Sequence, residues 1–245
     1  MSITRGESAL AKADPGDLLS IASHELKTPV AVIRAYVEIL LRRAEKAHND
    51  ADADLLRRID EQAERMILMT EQILNLRRVG SGALPLEPTR FDIGDLVTRV
   101  AESLQVTAPE HTVIVTTGSP MIVCADHRQI EQVLGNLIAN AVKFSPGGSR
   151  VEVRVAPERR PSGECAVVAV ADEGVGLAED ERDRVFEPYY QSQTPQINAP
   201  TGPMGLGLGL YICRELVRRN GGEIWLESAP GKGSTFYFSL PLDGS

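Results

Sequence analysis

Two apolar stripes at helical spacing, joined by a short polar segment, constrain the fold of this chain more than any other feature. Leu19, Ala22, Leu26, Val30, Ile33, Val37, Leu40 and Ala44 are separated by steps of three and four residues, which places their side chains on one face of an α-helix. Leu55, Ile59, Gln62, Met66, Met69, Ile73 and Leu76 repeat the pattern in 4-3-4-3 steps. Between the stripes, His48 to Asp54 is polar and ends in residues suited to cap a helix N-terminus. The spacing predicts an antiparallel helical hairpin over residues 14–79, preceded by a linker or disordered segment at 1–13. One hairpin covers its stripe on one side only. A second copy of the chain is therefore expected to complete a dimeric four-helix bundle.

Gly80-Ser81-Gly82 marks the end of that pattern. Strand-like segments follow at Val113–Thr116, Met121–Cys124, Val151–Val155, Cys165–Val170, Glu223–Glu227 and Ser234–Leu240. Helix-like segments lie at Ile93–Gln105, Arg128–Phe144 and Leu206–Arg219, with a weaker one at Glu179–Val185. Paired strands with helices between them predict an α/β sandwich over 85–245, a mixed sheet with helices on one face. The whole chain has a net charge of −8, and residues 1–80 carry 12 basic and 13 acidic groups against 14 and 21 in the remainder. Neither half resembles a surface that neutralises phosphate backbones, so no nucleic-acid partner is expected. Cys124, Cys165 and Cys213 are too far apart for a disulfide framework or a zinc cluster. The longest uncharged run, Pro188 to Cys213, spans 26 residues but holds four prolines and a Gly-rich turn, which argues against a membrane span. The expected setting is the cytoplasm, which includes the cytoplasmic part of a membrane-bound receptor.

His24 lies about 200° round the helix from both Ala22 and Leu26, away from the apolar seam. Pro29 then interrupts a helix interior, at a cost in stability that suggests a functional reason. Ser23-His24-Glu25-Leu26-Lys27-Thr28-Pro29 closely resembles the phosphoacceptor box of the sensor histidine kinases of two-component systems. That resemblance implies that His24 takes the γ-phosphoryl group of ATP, that Glu25 accepts the imidazole proton, and that Thr28 positions water for dephosphorylating the partner. The chemistry suits the residue types. A neutral imidazole is a good nucleophile near pH 7, and a neighbouring carboxylate stabilises the charge that develops on it.

In the second half, Asn136, Asn140 and Lys143 form a polar column at i, i+4 and i+7, beside a core stripe of Ile130, Leu134, Leu137, Ala141 and Phe144. Such a column is commonly a solvated face. Two asparagines in a helix interior are unfavourable there, however, and an amide oxygen is a hard ligand suited to Mg²⁺. Asp172-Glu173-Gly174-Val175-Gly176 follows an apolar strand, as a tight turn that either ends the strand or faces a flat ligand with its carboxylate. Gly205-Leu206-Gly207-Leu208-Gly209 precedes a helix, where exposed N–H groups favour phosphate and where small residues also serve packing.

In this order, and with Val185-Phe186-Glu187-Pro188-Tyr189-Tyr190 between the last two, these motifs resemble the catalytic ATP-binding domain of histidine kinases, a Bergerat-type fold. The similarity runs from about Phe91 to Leu242 and includes Gly-Lys-Gly-Ser-Thr-Phe before the last strand. It implies Mg²⁺ on Asn140, phosphates on Asn136 and Lys143, and the adenine amino group on Asp172. Gly174 and Gly176 would shape the adenine pocket, Gly205, Gly207 and Gly209 would line the phosphates, and Gln191 to Met204 would be an ATP lid. Onward transfer to an aspartate of a response-regulator receiver domain follows from the same resemblance, with the second domain moving about a linker near Val79 to Leu84. Many relatives carry an arginine where this chain has Gln191, and the lid lacks any Lys or Arg. Modest autokinase activity, or activity that depends on the state of a sensor, is expected, because charge stabilisation dominates phosphoryl transfer. The missing cation must then come from Mg²⁺ and Lys143, from another residue such as Arg182 or Arg184, or from elsewhere in the dimer. The competing readings are a Bergerat-fold ATPase that drives a conformational clamp and a phosphotransfer scaffold with weak or no autokinase activity.

Overall fold

The computed structural model describes residues 15–60, 62, 63, 66, 85–161, 163–192 and 206–243, with described side chains beginning at Pro29. The chain divides into two compact units, Met1–Ala83 and Leu84–Ser245.

In the first unit, helix α1 spans Pro15–Lys46 and runs without a break through Pro29. It ends where His48 takes a left-handed backbone (φ 52°) and the amide of Asn49 bonds back to the Ala44 carbonyl at 3.0 Å, a common helix stop. Helix α2 then begins at once, covering residues 50–60 and continuing at 62, 63 and 66. The Asn49 side chain caps it, accepting from the Asp52 amide at 3.3 Å and donating to the Asp52 carboxylate at 2.7 Å. The polar connection is therefore shorter than the predicted His48–Asp54, because its acidic residues start the helix instead of preceding it. The helices are antiparallel: Arg34 pairs with Asp60 at 2.9 Å, and Arg57 with Glu45 at 3.3 Å. Val30, Val37 and Ala44 are buried, as are Ala53 and Ala63 on the facing helix. Ile33, Leu40, Leu55, Ile59 and Met66 remain 46–59% exposed. One hairpin thus covers three of the nine described stripe residues, and the buried α2 residues, Ala53 and Ala63, lie outside the predicted second stripe. Met69, Ile73, Leu76 and the linker near Val79 to Leu84 lie outside the described residues.

The second unit is an α/β sandwich. Its elements are β1 (Thr89–Asp92), α3 (Ile93–Thr107), β2 (Thr112–Thr117), β3 (Ile122–Ala125), α4 (His127–Phe144), β4 (Arg150–Arg160), β5 (Gly163–Asp172), α5 (Gly209–Arg219), β6 (Ile224–Ser228) and β7 (Ser234–Pro241). The main sheet has the order β2-β4-β5-β7-β6, with β2 parallel to β4 and every other pair antiparallel. Its register aligns Val153 with Val170 and Val170 with Phe236, and Val155 with Val168 and Val168 with Phe238. All six are buried and form the floor of the core. Ile93, Leu96, Ile130, Leu134, Leu137 and Leu216, each 1% exposed or less, cover it from the helices. On the other face of the sheet, Trp225 stacks on Tyr237 at 5.3 Å beneath the Arg160 guanidinium.

Three local expectations change. Thr89–Asp92 is a strand although it lacks alternation, because it pairs with β3 in a separate two-stranded ribbon. The weak helix at Glu179–Val185 is instead two 3-10 turns, Glu179–Glu181 and Arg184–Phe186. Glu181 there turns inward and is buried, accepting from Tyr190 Oη, Ser192 Oγ and the Ala178 amide. Helix α5 starts at Gly209, three residues later than expected, because Gly207 has φ +68° and cannot continue a helix.

Candidate functional site

The register of the sheet places one end of the inward row at Asp172, Ser234 and Ser228, which pair across β5, β7 and β6. Asp172 Oδ1 accepts from the backbone amides of Gly174 (2.8 Å) and Ser234 (3.1 Å). Oδ2 takes no hydrogen bond among the described residues. Burial raises the Asp172 pKa above the ordinary carboxylate value, and the two N–H donors offset only part of the rise. The carboxylate is thus held rigidly by one oxygen and offered by the other.

Close backbone approaches build the surroundings. A Cβ at Gly174 would lie 2.6 Å from the Phe144 carbonyl, which brings the Asp172 turn against the C-terminal end of α4. A Cβ at Gly176 would lie 2.0 Å from the Ala229 carbonyl, and one at Gly233 2.0 Å from that of Asp172. The β6–β7 turn therefore closes directly onto the Asp172 turn, joined by the Gly231 amide to the Val175 carbonyl at 2.7 Å. Ser228 Oγ accepts from the Leu177 amide and donates to the Gly233 carbonyl, tying the same two turns. Gly176→Ala combines a left-handed backbone (φ +67°) with this clash. It should cost about 2–4 kcal/mol, read as a loss of thermal stability in the absence of any nucleotide.

Helix α4 carries the polar column toward this corner. Asn140 is half-buried, and its amide takes no hydrogen bond among the described residues. Lys143 Nζ lies 5.1 Å from the centroid of the Phe144 ring. Asn136 differs from the free wall that the spacing suggests. Its Nδ2 donates to Cys213 Sγ on α5 at 3.1 Å, and a Cβ at Gly209 would lie 2.8 Å from that nitrogen. Gly209 is thus needed for close helix packing against Asn136. Gly207 is needed for its backbone, since a Cβ there would lie 2.4 Å from the Tyr190 carbonyl. Asn136, Asn140, Lys143, Asp172, Gly174, Gly176, Gly207 and Gly209 therefore all lie in the second unit, along α4, α5 and the two turns that close on β5. Gly205 and the lid beyond Ser192 lie outside the described residues, as do the side chains of His24, Glu25 and Thr28, whose backbone belongs to α1.

The residues fit a Mg²⁺–nucleotide. An amide that is half-buried and a carboxylate with one open oxygen, neither partnered there among the described residues, and turns that exclude any Cβ are what a planar base and a hard cation require. Of the two candidate arginines, Arg184 lies over the Tyr190 ring at 4.5 Å. Arg182 Nε is buried with no partner among the described residues. Sequence reasoning missed Cys213, Glu181 and the direct roles of Ser228 and Ser234. Gly233-Ser234 was visible within the Gly-Lys-Gly-Ser-Thr-Phe string, whereas nothing local distinguishes Cys213 or Glu181.

Residues 125–244 match the family model of histidine kinase-, DNA gyrase B- and HSP90-like ATPases, and residues 16–82 match that of the His Kinase A phospho-acceptor domain. The sensor-like histidine kinase SenX3 of Mycolicibacterium smegmatis is 33% identical, over 97% of this chain and 60% of its own length. The alginate biosynthesis sensor protein KinB of Pseudomonas aeruginosa is 32% identical, over 90% of this chain and 36% of its own. The sensor histidine kinase WalK of Bacillus subtilis is 30% identical, over 92% and 36%. The chain thus spans between about a third and three fifths of the length of these relatives. Among solved structures, full-length ShkA in complex with AMPPNP superposes with a TM-score of 0.74 at 28% identity, covering 94% of this chain and 46% of that one.

Proposed function

Since the chain belongs to the sensor histidine kinase family, with a phospho-acceptor domain followed by the family's ATPase domain, we propose that it is an ATP-dependent protein-histidine kinase core that phosphorylates its own His24. The observation that carries this reading is the corner where Asp172, held by one oxygen and open at the other among the described residues, meets the C-terminal end of α4, whose Asn140 amide has no partner among the described residues. Asp172 would accept from the adenine amino group, and Gly174 and Gly176 keep the turn thin enough for the base. Asn140 would hold Mg²⁺. Asn136 and Lys143, with the backbone at Gly205, Gly207 and Gly209, would contact the phosphates. A bound Mg²⁺ supplies charge neutralisation at the phosphate oxygens.

His24 attacks the γ-phosphorus as a neutral imidazole. An N–P bond forms, the bond to the ADP oxygen breaks, and the imidazole proton passes to Glu25. An aspartate of a response-regulator receiver domain then accepts the phosphoryl group from His24, and Thr28 positions water for dephosphorylating that partner. The exposed Ile33, Leu40, Leu55, Ile59 and Met66 support a homodimer, since a second hairpin would cover them. No described helix is long and apolar enough to cross a membrane, and the cytoplasm is the proposed setting. Incubation with γ-labelled ATP and Mg²⁺ tests the reading. Acid-labile label on the protein is expected, at a modest rate given Gln191 and an Arg184 engaged with Tyr190. ATP hydrolysis without labelled protein would favour a clamp-type ATPase, and neither label nor hydrolysis would favour a phosphotransfer scaffold.

A further inference from the structure

The chain enters the second unit over Pro85–Pro88, four exposed residues that belong to no helix or strand. Two of the four are prolines without an N–H, and the Leu86 amide bonds to no acceptor among the described residues. The Glu87 amide holds the segment, donating to Asp126 Oδ2 at 3.2 Å. The β1–β3 ladder starts just beyond, with Thr89 opposite Ala125. Extending that register puts Pro88 opposite Asp126, and a proline cannot continue a ladder. The Asp126 side chain takes over where the main chain stops. A closed ring of hydrogen bonds holds that side chain. The Asp126 amide donates to Asn220 Oδ1 at 2.7 Å, Asn220 Nδ2 to Gln129 Oε1 at 3.2 Å, and Gln129 Nε2 to Asp126 Oδ2 at 3.0 Å. All three residues are buried. Each side-chain amide has one allowed sense, because the backbone amide only donates and the carboxylate only accepts. Asp126 Oδ1 meanwhile caps α4, accepting from the amides of Arg128 and Gln129 at 3.1 and 3.2 Å. Of the roughly four acceptor positions of a carboxylate, three serve the fold and the fourth takes Glu87.

We infer that Pro85–Pro88 is a releasable strap, fastened to the second unit by Asp126, which sets the length of the tether between the two units. Gln129 and Asn220 are positioning residues that keep Asp126 Oδ2 turned to the strap. Release breaks one part-buried hydrogen bond and leaves the ring, the α4 cap and the β1–β3 ladder in place. Tension arriving along the chain meets this bond before it meets the ladder, so the strap yields first. An open strap adds four residues, a further reach of about 13–14 Å when extended. The tether of six residues expected at Val79–Leu84 then becomes ten. The catalytic consequence rests on the proposed transfer to His24. A longer flexible tether lowers the effective concentration of bound nucleotide at the acceptor, about twofold for this change in length.

The test uses the full chain. Amide hydrogen exchange followed by NMR should find Glu87 at least about tenfold slower than its unprotected rate, and Leu86 near its own. Gln129→Met removes the donor that orients Asp126 Oδ2 but leaves the α4 cap, and should bring Glu87 close to the unprotected rate. Glu87→Pro deletes the strap's donor and leaves Asp126, Gln129 and Asn220 untouched. It should bind AMPPNP with parent affinity and melt with the parent, yet take acid-labile label from ATP about twofold more slowly. Inserting Gly-Ser-Gly-Ser after Gly82 of the parent lengthens the tether by the same four residues and should slow labelling equally. Exchange of Glu87 at the unprotected rate in the parent overturns the strap. Protection that survives Gln129→Met overturns the positioning role of the ring. Labelling of Glu87→Pro at the parent rate overturns the tether role. A parent that takes no label removes the proposed kinase activity instead, and Glu87 exchange still decides the strap.

Discussion

His24→Ala should abolish phosphoryl labelling of the protein, by at least about a thousandfold, while leaving the affinity for Mg²⁺ and AMPPNP unchanged. The two readouts separate because the residues they depend on belong to different units. The acceptor is on α1, within Met1–Ala83, and every proposed nucleotide contact belongs to Leu84–Ser245. An alanine offers no lone pair to the γ-phosphorus, so the loss should be complete and not partial. It should also be specific in kind: the label missing from the variant should be the acid-labile fraction, because a phosphoryl group on imidazole nitrogen leaves readily once the ring is protonated. Alanine is a good helix former, and the substitution should not disturb α1. Retained acid-labile label in His24→Ala would move the acceptor to another histidine, His48, His111 or His127. Of these, His127 is already engaged with Arg99 at 2.8 Å and edge-on to Phe91.

Much of this arrangement was legible in the sequence, and the parts that were not have a common physical cause. The stripes in residues 19–76 report that a helix face is apolar, and α1 and α2 follow. They do not report what covers that face, so Val30 and Ile33 look alike although one is 4% and the other 48% exposed. The motifs in the second unit were legible because each is a local string with its own backbone demand. Gly176 and Gly207 both have positive φ in the fold. What local strings cannot show is a partner distant along the chain. β1 exists through pairing with β3, Glu181 is satisfied by Tyr190 and Ser192, and Asn136 meets Cys213 across 77 residues. Spacing alone places Asn136, Asn140 and Lys143 in one polar column of α4. The fold divides it into a clamped amide, Asn136, and one without a described partner, Asn140.

Asp172→Asn should weaken AMPPNP binding about a hundredfold and yet raise the unfolding temperature of the nucleotide-free protein at neutral pH. The binding loss combines a charged hydrogen bond, worth about 1.5–3 kcal/mol, with the introduction of an amide NH₂ opposite the adenine amino group, donor against donor. The gain in stability follows from the same site. Asparagine keeps an Oδ1 that can accept from Gly174 and Ser234 at 2.8 and 3.1 Å, so neither amide is orphaned. The charge, however, is gone. Burial raises the folded-state pKa of Asp172 above its unfolded value, so the folded protein binds this proton more tightly than the unfolded chain does. Stability from this group is then fully present below the unfolded pKa, near 3.9, and is lost as pH rises through the folded pKa. At neutral pH the ionised carboxylate costs stability that the amide does not. The melting advantage of Asp172→Asn should accordingly shrink as the pH falls below the folded value. Parent nucleotide affinity should fall on acidification at a pH above the ordinary carboxylate range, a limb that the variant lacks. An Asp172→Asn protein that binds AMPPNP as the parent does would remove Asp172 from the adenine site. One that binds weakly but also melts lower at neutral pH would mean that the carboxylate is needed to hold the two turns together, and that binding is lost through the fold.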